Sequence, residues 1–195
     1  MWNLNNKTIV ISGATNGIGK AAAIELSKQN PKLLFTYRNQ DLANELLAEI
    51  KKVSPETQVH SVYCDFSSQD SIKKCIDEIN DLCGDIDVLI NNDGVVNTSY
   101  HETSDGIENT FAVNHLGYFL FTNLLLHKLK SKNEARIVNV SSAAHSFVKE
   151  MQWQDINFEN NFGHGLRPYG QSKLANLLFT RYLAIKLSTE NISVN

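Results

Sequence analysis

Short apolar, β-rich runs alternate with longer helix-like stretches along the chain, and this alternation constrains the fold more than any other feature. The runs are KTIVIS (7–12), KLLFTY (32–37), QVHSVY (58–63), IDVLIN (86–91) and ARIVNVS (135–141). Helical stretches fall between and after them, near 17–29, 40–52, 68–83, 105–130 and 168–189. Apolar strands in regular alternation with helices predict a parallel sheet covered on both faces. Right-handed crossovers then make the domain a doubly wound α/β sandwich. No repeat, linker or low-complexity block interrupts the pattern, so residues 1–195 are expected to form a single domain. The one long irregular connection is 142–167, and a connection of that length in a compact domain is usually functional.

The turn after the first run reads ISGATNGIGK, Ile11 to Lys20. Gly13, Gly17 and Gly19, with Thr15, Asn16 and Ile18 between them, fall where a dinucleotide pyrophosphate would rest on helix amides. Glycine suits that place because a Cβ would hold backbone and phosphate apart. A glycine-rich turn alone is compatible with an ordinary bend. Its position as the first strand-to-helix connection of a Rossmann-type unit favours a nucleotide. The second run ends in FTYRNQ, where an NAD site wants a carboxylate about 20 residues beyond the glycines to hold the ribose hydroxyls. Arg38 stands there instead, nineteen residues after Gly19. A guanidinium matches a 2′-phosphate through paired charge-assisted hydrogen bonds, so the expected cofactor is NADP(H).

Two helical stretches carry notable polar groups. Over 105–130, Ile107, Phe111, Asn114, Tyr118, Phe121 and Leu125 step by four and three into one apolar stripe with an amide in its middle. A buried amide is costly unless hydrogen-bonded, so Asn114 needs dedicated partners, whether structural or functional. In PYGQSKLANLLF (Pro168 to Phe179), Tyr169 lies four residues before Lys173, about one helical turn. Leu174, Leu177, Leu178, Tyr182 and Ile185 recur at helical spacing and form the expected apolar face of that helix. A tyrosine and a lysine one turn apart are commonly plain solvated surface. Free tyrosine titrates near pH 10, though, and an adjacent ammonium favours phenolate, as proton traffic near neutrality requires. RIVNVSSAAH ends a buried strand with Ser141 and Ser142, at the edge where open α/β sheets present residues to ligands.

Composition removes several function classes. With 42% hydrophobic and 20% charged residues the chain can bury one sizeable core, and a net charge of −3 offers no field for nucleic acid or an anionic membrane. The first 30 residues hold no apolar run long enough for a signal peptide or a membrane span. Cys64, Cys75 and Cys83 are odd in number and lack C-x-x-C spacing, which points to reduced thiols and a cytoplasmic setting. The six scattered histidines, His60 to His164, have no metal-binding spacing, so no metal is expected.

Taken together, the motifs resemble the short-chain dehydrogenase/reductase family over all 195 residues. The family pattern is T-G-x-x-x-G-x-G, N-N-A-G, a helix asparagine, a strand-end serine and Y-x-x-x-K. Here it reads SGATNGIG, NNDG (Asn91 to Gly94), Asn114, Ser142 and Tyr169-x-x-x-Lys173, in order and at proper spacing. RIVNVSSAAH, WQDINFE and YGQSKLANLLFTRYLA look like the retinol-dehydrogenase and WW-domain-oxidoreductase branch, which mostly uses NADP(H). The resemblance implies hydride transfer between NADP(H) and a small apolar carbonyl compound or alcohol. It implies Tyr169 as acid/base, Lys173 as its electrostatic neighbour and nicotinamide-ribose ligand, Ser142 as donor to the substrate oxygen and Asn114 as anchor of a water relay. It adds Asp65, Phe66, Asn92 and Gly94 to the cofactor contacts, and allows a homodimer through the helices near 105–130 and 168–189. Phe147, Val148, Met151 and Trp153 in the long connection are the expected apolar wall for substrate.

Two features depart from the family pattern. Asp93 replaces the alanine of N-N-A-G. It either faces water as a turn residue, weakens cofactor affinity, or marks a catalytically silent nucleotide-binding or interaction protein of the same fold. The ending STENISVN starts a sixth strand at Ile192, whereas family members usually continue through that strand and a seventh. The expectation is a C-terminally truncated domain with its last strands missing.

Overall fold

Residues 2–132 and 134–195 are described by a computed structural model in which the five β-rich runs, and the start of a sixth, become strands. β1 (Thr8–Ile11), β2 (Lys32–Tyr37), β3 (Gln58–Tyr63), β4 (Val88–Asn91), β5 (Ala135–Asn139) and β6 (Ile192–Val194) form one parallel sheet in the order β3-β2-β1-β4-β5-β6. Side chains alternate across a strand, so β1 to β4 feed two cores. Ile9, Ile11, Leu33 and Phe35 pack with Ala23 of α1 (Gly17–Ser27) and with Leu46 and Ile50 of α2 (Gln40–Val53). Val10, Leu34, Leu89 and Ile137 point the other way. They meet Ile72 and Ile79 of α3 (Gln69–Leu82), Phe121 and Leu125 of α5 (Gly117–Lys130), and Leu183 of α6 (Leu166–Lys186). The doubly wound sandwich is therefore the fold, with a core on each side of the sheet.

The helix expected over 105–130 starts later and is not uniform. Asp105 and Gly106 form a turn, with Gly106 at φ +72°, and the chain then enters a short helix, α4 (Asn109–Phe111). Glu108 starts it: its two carboxylate oxygens accept from the amides of Thr110 and Phe111, each at 2.7 Å. A π turn, Ala112–Leu116, links α4 to α5 and carries Asn114 at its centre. Of the predicted stripe, Phe111, Asn114, Tyr118, Phe121 and Leu125 are buried, whereas Ile107 lies before α4 and is half-buried.

The apolar face assigned to α6 needs correction. Leu177, Leu178, Tyr182 and Ile185 are 39%, 47%, 61% and 65% exposed, while Ser172 and Asn176 are fully buried. The inward face of α6 lies against β5 and the π turn, where polar groups can be paired. Asn139 Nδ2 donates to Thr180 Oγ1 at 2.9 Å, and Asn176 Nδ2 donates to the Asn114 carbonyl at 2.8 Å. Satisfied amides thus occupy the place that periodicity alone reserves for leucines.

Glu108 is 1% exposed and terminates two otherwise unpaired helix amides. Its replacement by Ala is expected to cost about 2 kcal/mol of folding stability, the scale of a charged helix cap. Urea denaturation measures this, and an unchanged midpoint would show that the cap contributes nothing.

Candidate active site

β1 and β4 are neighbours in the sheet, but the helices that follow them pack on opposite faces. Connections that part in this way open a crevice at the carboxyl ends of the strands. A cleft of about 580 Å³ lies there, and Gly13, Thr15, Asn16, Gly17, Ile18 and Gly19 form one wall of it. Arg38 closes one end, Ser142, Tyr169 and Lys173 the other, and Asn92, Asp93 and Gly94 run along the side between them.

The turn after β1 is held tightly against the end of β4. Ser12 Oγ accepts from the amides of Asn92 (2.9 Å) and Asp93 (3.1 Å), and Asn92 Nδ2 donates back to the Gly13 carbonyl at 2.9 Å. Glycine is required at two points of this contact. Gly13 has φ +61°, and a Cβ on it would lie 2.6 Å from the Asp93 Cα. A Cβ on Gly19 would overlap the Gly13 carbonyl oxygen and the Asn92 side-chain nitrogen. Asn16 precedes α1 without capping it, and the first turn of the helix carries no acidic residue. The leading amides of α1 are thus placed to receive an anion, and this cradle fits the pyrophosphate of a dinucleotide.

At the other end, α6 begins at Leu166, which puts Tyr169 in its first turn and Lys173 in its second. Tyr169 is half-buried and Lys173 only 4% exposed. The Lys173 ammonium donates to the Val140 carbonyl at 3.2 Å and lies 5.7 Å from the centre of the Tyr169 ring. Burial lowers the Lys173 pKa from 10.5 to about 8, against the opposing pull of Asp93. Ser142 caps the 3₁₀ turn Ala143–Phe147, its Oγ accepting from the Ala144 amide at 3.2 Å.

Asn114 has the partners its burial demands. Its Oδ1 accepts from the Val95 amide at 2.8 Å, and its Nδ2 donates to the Val95 carbonyl (2.9 Å) and to Ser172 Oγ (3.1 Å). Ser172 in turn donates to the Tyr169 carbonyl at 2.7 Å. The amide therefore ties the segment after β4 to the turn of α6 that bears Tyr169 and Lys173. A Cβ on Gly94 would come within 3.5 Å of Asn114 Oδ1 and 3.7 Å of Lys173 Nζ, so the backbone there passes close to both.

Several expected residues fall elsewhere. Phe66 is 2% exposed and packs against Tyr118 and Phe121, so its ring belongs to the core, not the cleft. Asp65 turns its Oδ1 to Ser67, accepting from its amide (2.9 Å) and hydroxyl (2.7 Å). The expected apolar wall divides: Val148 and Met151 are buried, whereas Phe147 and Trp153 are 54% and 71% exposed. None of the four lines the cleft. Asp93 does not face water as a turn residue. It is 8% exposed and lines the cleft, with its pKa pushed up by burial against the nearby Arg38 charge.

Ser12, Ser172 and Asn176 carry the site without having been singled out in the sequence. Ser172, Asn176 and Thr180 recur every four residues, a polar stripe parallel to the leucines that periodicity offers as a signal. Ser12 had no comparable sign beyond standing next to Gly13.

A family model described as short chain dehydrogenase matches residues 7–154. Human retinol dehydrogenase 13 is 36% identical over 189 residues, covering 97% of this chain and 57% of that protein. The chloroplastic short-chain dehydrogenase TIC 32 A of Brassica napus is 37% identical over 194 residues, covering 96% of the chain and 60% of its own length. A crystal structure of a protein from Mycobacterium paratuberculosis superposes with a TM-score of 0.83 at 32% identity, covering 97% of this chain and 66% of that one. The chain belongs to the short-chain dehydrogenase family, whose members are oxidoreductases using nicotinamide dinucleotides. It spans less than two thirds of the length of the curated relatives it matches.

A buried amine with a pKa of about 8 is charged below that pH and loses its proton above it. Lysine-selective NMR of the unliganded protein is expected to give a Lys173 midpoint near 8. A midpoint at the ordinary value of 10.5 would contradict the burial described above.

Proposed function

We propose that the cleft binds NADP(H) and that Tyr169 serves as acid/base in interconverting an apolar carbonyl compound and its alcohol. The observation that carries this is convergence: Tyr169, Lys173 and Ser142 line the same cleft as the glycine turn and Arg38. The family membership supports the reaction class, and the retinol dehydrogenases among the relatives support an apolar alcohol or aldehyde as substrate.

The open amides of α1 would hold the pyrophosphate, and Arg38 the 2′-phosphate. A bound nicotinamide dinucleotide supplies or accepts the hydride. Tyr169 Oη gives its proton to the carbonyl oxygen in reduction and takes one from the alcohol in oxidation. The Lys173 ammonium, 5.7 Å from the ring centre, offsets the negative charge that Tyr169 gains as its proton leaves. The Ser142 hydroxyl donates to the substrate oxygen, where charge develops. Asn114 is a positioning residue in this scheme, holding α6 through Ser172.

A homodimer through α5 and α6 fits the exposed Phe119, Leu178 and Tyr182, which give these helices an apolar outer surface. Phe119 and Phe179, with ring centres 5.5 Å apart, join the two helix faces. No described helix is long and apolar enough to cross a membrane.

The buried Asp93 favours a second reading, a catalytically silent nucleotide-binding protein, and turnover separates the two. Wild type is expected to bind NADPH more tightly than NADH and to reduce members of a panel of apolar aldehydes and ketones. Tyr169→Phe should lower turnover by roughly 10²–10⁴-fold, the usual scale of lost acid/base catalysis, with NADPH affinity changed by no more than about twofold. Near-normal turnover in that variant removes Tyr169 from its role, and equal wild-type affinities remove the NADP preference. Binding without turnover across the panel supports the silent reading.

A further inference from the structure

Three charged side chains line the cleft among the described residues: Arg38, Lys173 and Asp93. Asp93 is the only acid of the three, and it is poorly compensated. Among the described residues its Oδ1 accepts a single hydrogen bond, from the Gly94 amide at 2.9 Å. The Tyr118 hydroxyl donates at 2.5 Å to the main-chain carbonyl of Asp93, not to its carboxylate. Neither Arg38 nor Lys173 closes an ion pair with it among the described residues; both act from farther away. The side chain cannot withdraw toward the turn after β1, because Gly13 is packed against its Cα and Cβ. The charged or titratable groups around it are Arg38 beyond β2, Cys64 and Asp65 beyond β3, Tyr118 of α5 and Lys173 of α6. Of the cations, Arg38 exerts the stronger effect on it.

A 2′-phosphate held by Arg38 would bring further negative charge to the cation that acts most strongly on the Asp93 carboxylate midway along the cleft. A carboxylate so placed competes with the phosphate for one guanidinium, and a neutral carboxyl does not. We propose that Asp93 is a specificity-determining residue for the charge of the bound dinucleotide. As a carboxylate it opposes the 2′-phosphorylated form, and as the neutral acid it leaves Arg38 to the phosphate. Binding of NADPH then takes up a proton from solvent onto Asp93, and binding of NADH takes up less. The inference rests on the NADP(H) reading of the cleft. Its sign is fixed: preference for NADPH over NADH is greatest at low pH and declines as pH rises through the titration of Asp93.

Isothermal titration calorimetry tests this, run at a series of pH values from acid to neutral in two buffers of different ionisation enthalpy, which counts the protons taken up. NADPH and NADH are each titrated into wild type, Asp93→Asn and Asp93→Ala. Asn keeps the acceptor for the Gly94 amide, Ala restores the family residue, and thermal melts check that each variant folds. Titration of the NADPH phosphate is common to all three proteins, and because Asp93 supports the Lys173 charge, the Lys173 midpoint is followed by NMR in each so that its share can be subtracted. Wild type should take up more protons with NADPH than with NADH. Both variants should lose that excess and raise the NADPH-to-NADH affinity ratio by roughly tenfold, the equivalent of one pKa unit of coupling. Equal proton uptake for the two dinucleotides in wild type, or variants that keep the wild-type ratio, would overturn the inference while leaving the cofactor site intact. Failure of every variant to bind either dinucleotide would overturn the cofactor reading and this inference with it.

Discussion

The clamp between the turn after β1 and the end of β4 is the contact on which the cleft depends. Ser12, Gly13 and Gly19 on one side meet Asn92 and Asp93 on the other, with hydrogen bonds of 2.9–3.1 Å and too little space for any Cβ at the two glycines. The clamp fixes the amino end of α1 at the mouth of the crevice and places residue 93 along its wall. It also sets where Gly94 passes, close to Asn114 and Lys173. A second set of buried polar contacts, running from Asn114 through Ser172 and Asn176, then aligns α6 with this frame. Both sets are well paired, as buried polar groups in a low-dielectric interior must be.

The electrostatics of the cleft follow from the same geometry. Two cations, Arg38 at one end and Lys173 at the other, bracket a buried carboxylate. Burial works against the charged form of both Asp93 and Lys173, while each favours the charge of the other. The cleft is thus suited to an anionic ligand spanning its length, with a built-in sensitivity to how much charge that ligand carries. In the family pattern an alanine would leave only the cations.

The sheet was legible because its central strands are apolar on both sides and alternate with helical stretches, and all five fully predicted strands form near the expected places. The glycine turn, Arg38, Ser142, Tyr169 and Lys173 were legible as types at fixed spacing, and they do come together in one cleft. What periodicity misjudged was α6. Leu177 and Leu178 mark an outer surface, while Ser172 and Asn176 face inward, because hydrogen bonding makes a polar core face as acceptable as an apolar one. The Phe66 ring turns to the core for the opposite reason: a large ring near the site finds more apolar surface there than in the cleft. The burial of Asp93 had no sequence sign, since residues just after a strand lie in water as readily as in a crevice.

The central claim is that a nicotinamide dinucleotide occupies the crevice between the glycine turn and α6. Amide chemical-shift mapping of the protein titrated with NADPH tests it most directly. The largest shifts are expected on Gly13, Gly19, Asn92 and Gly94, with a smaller set around Ser142 and Lys173. Shifts clustered instead around the apolar groove formed by Phe66, Ile72, Leu116 and Leu120 on the α3–α5 side would contradict it.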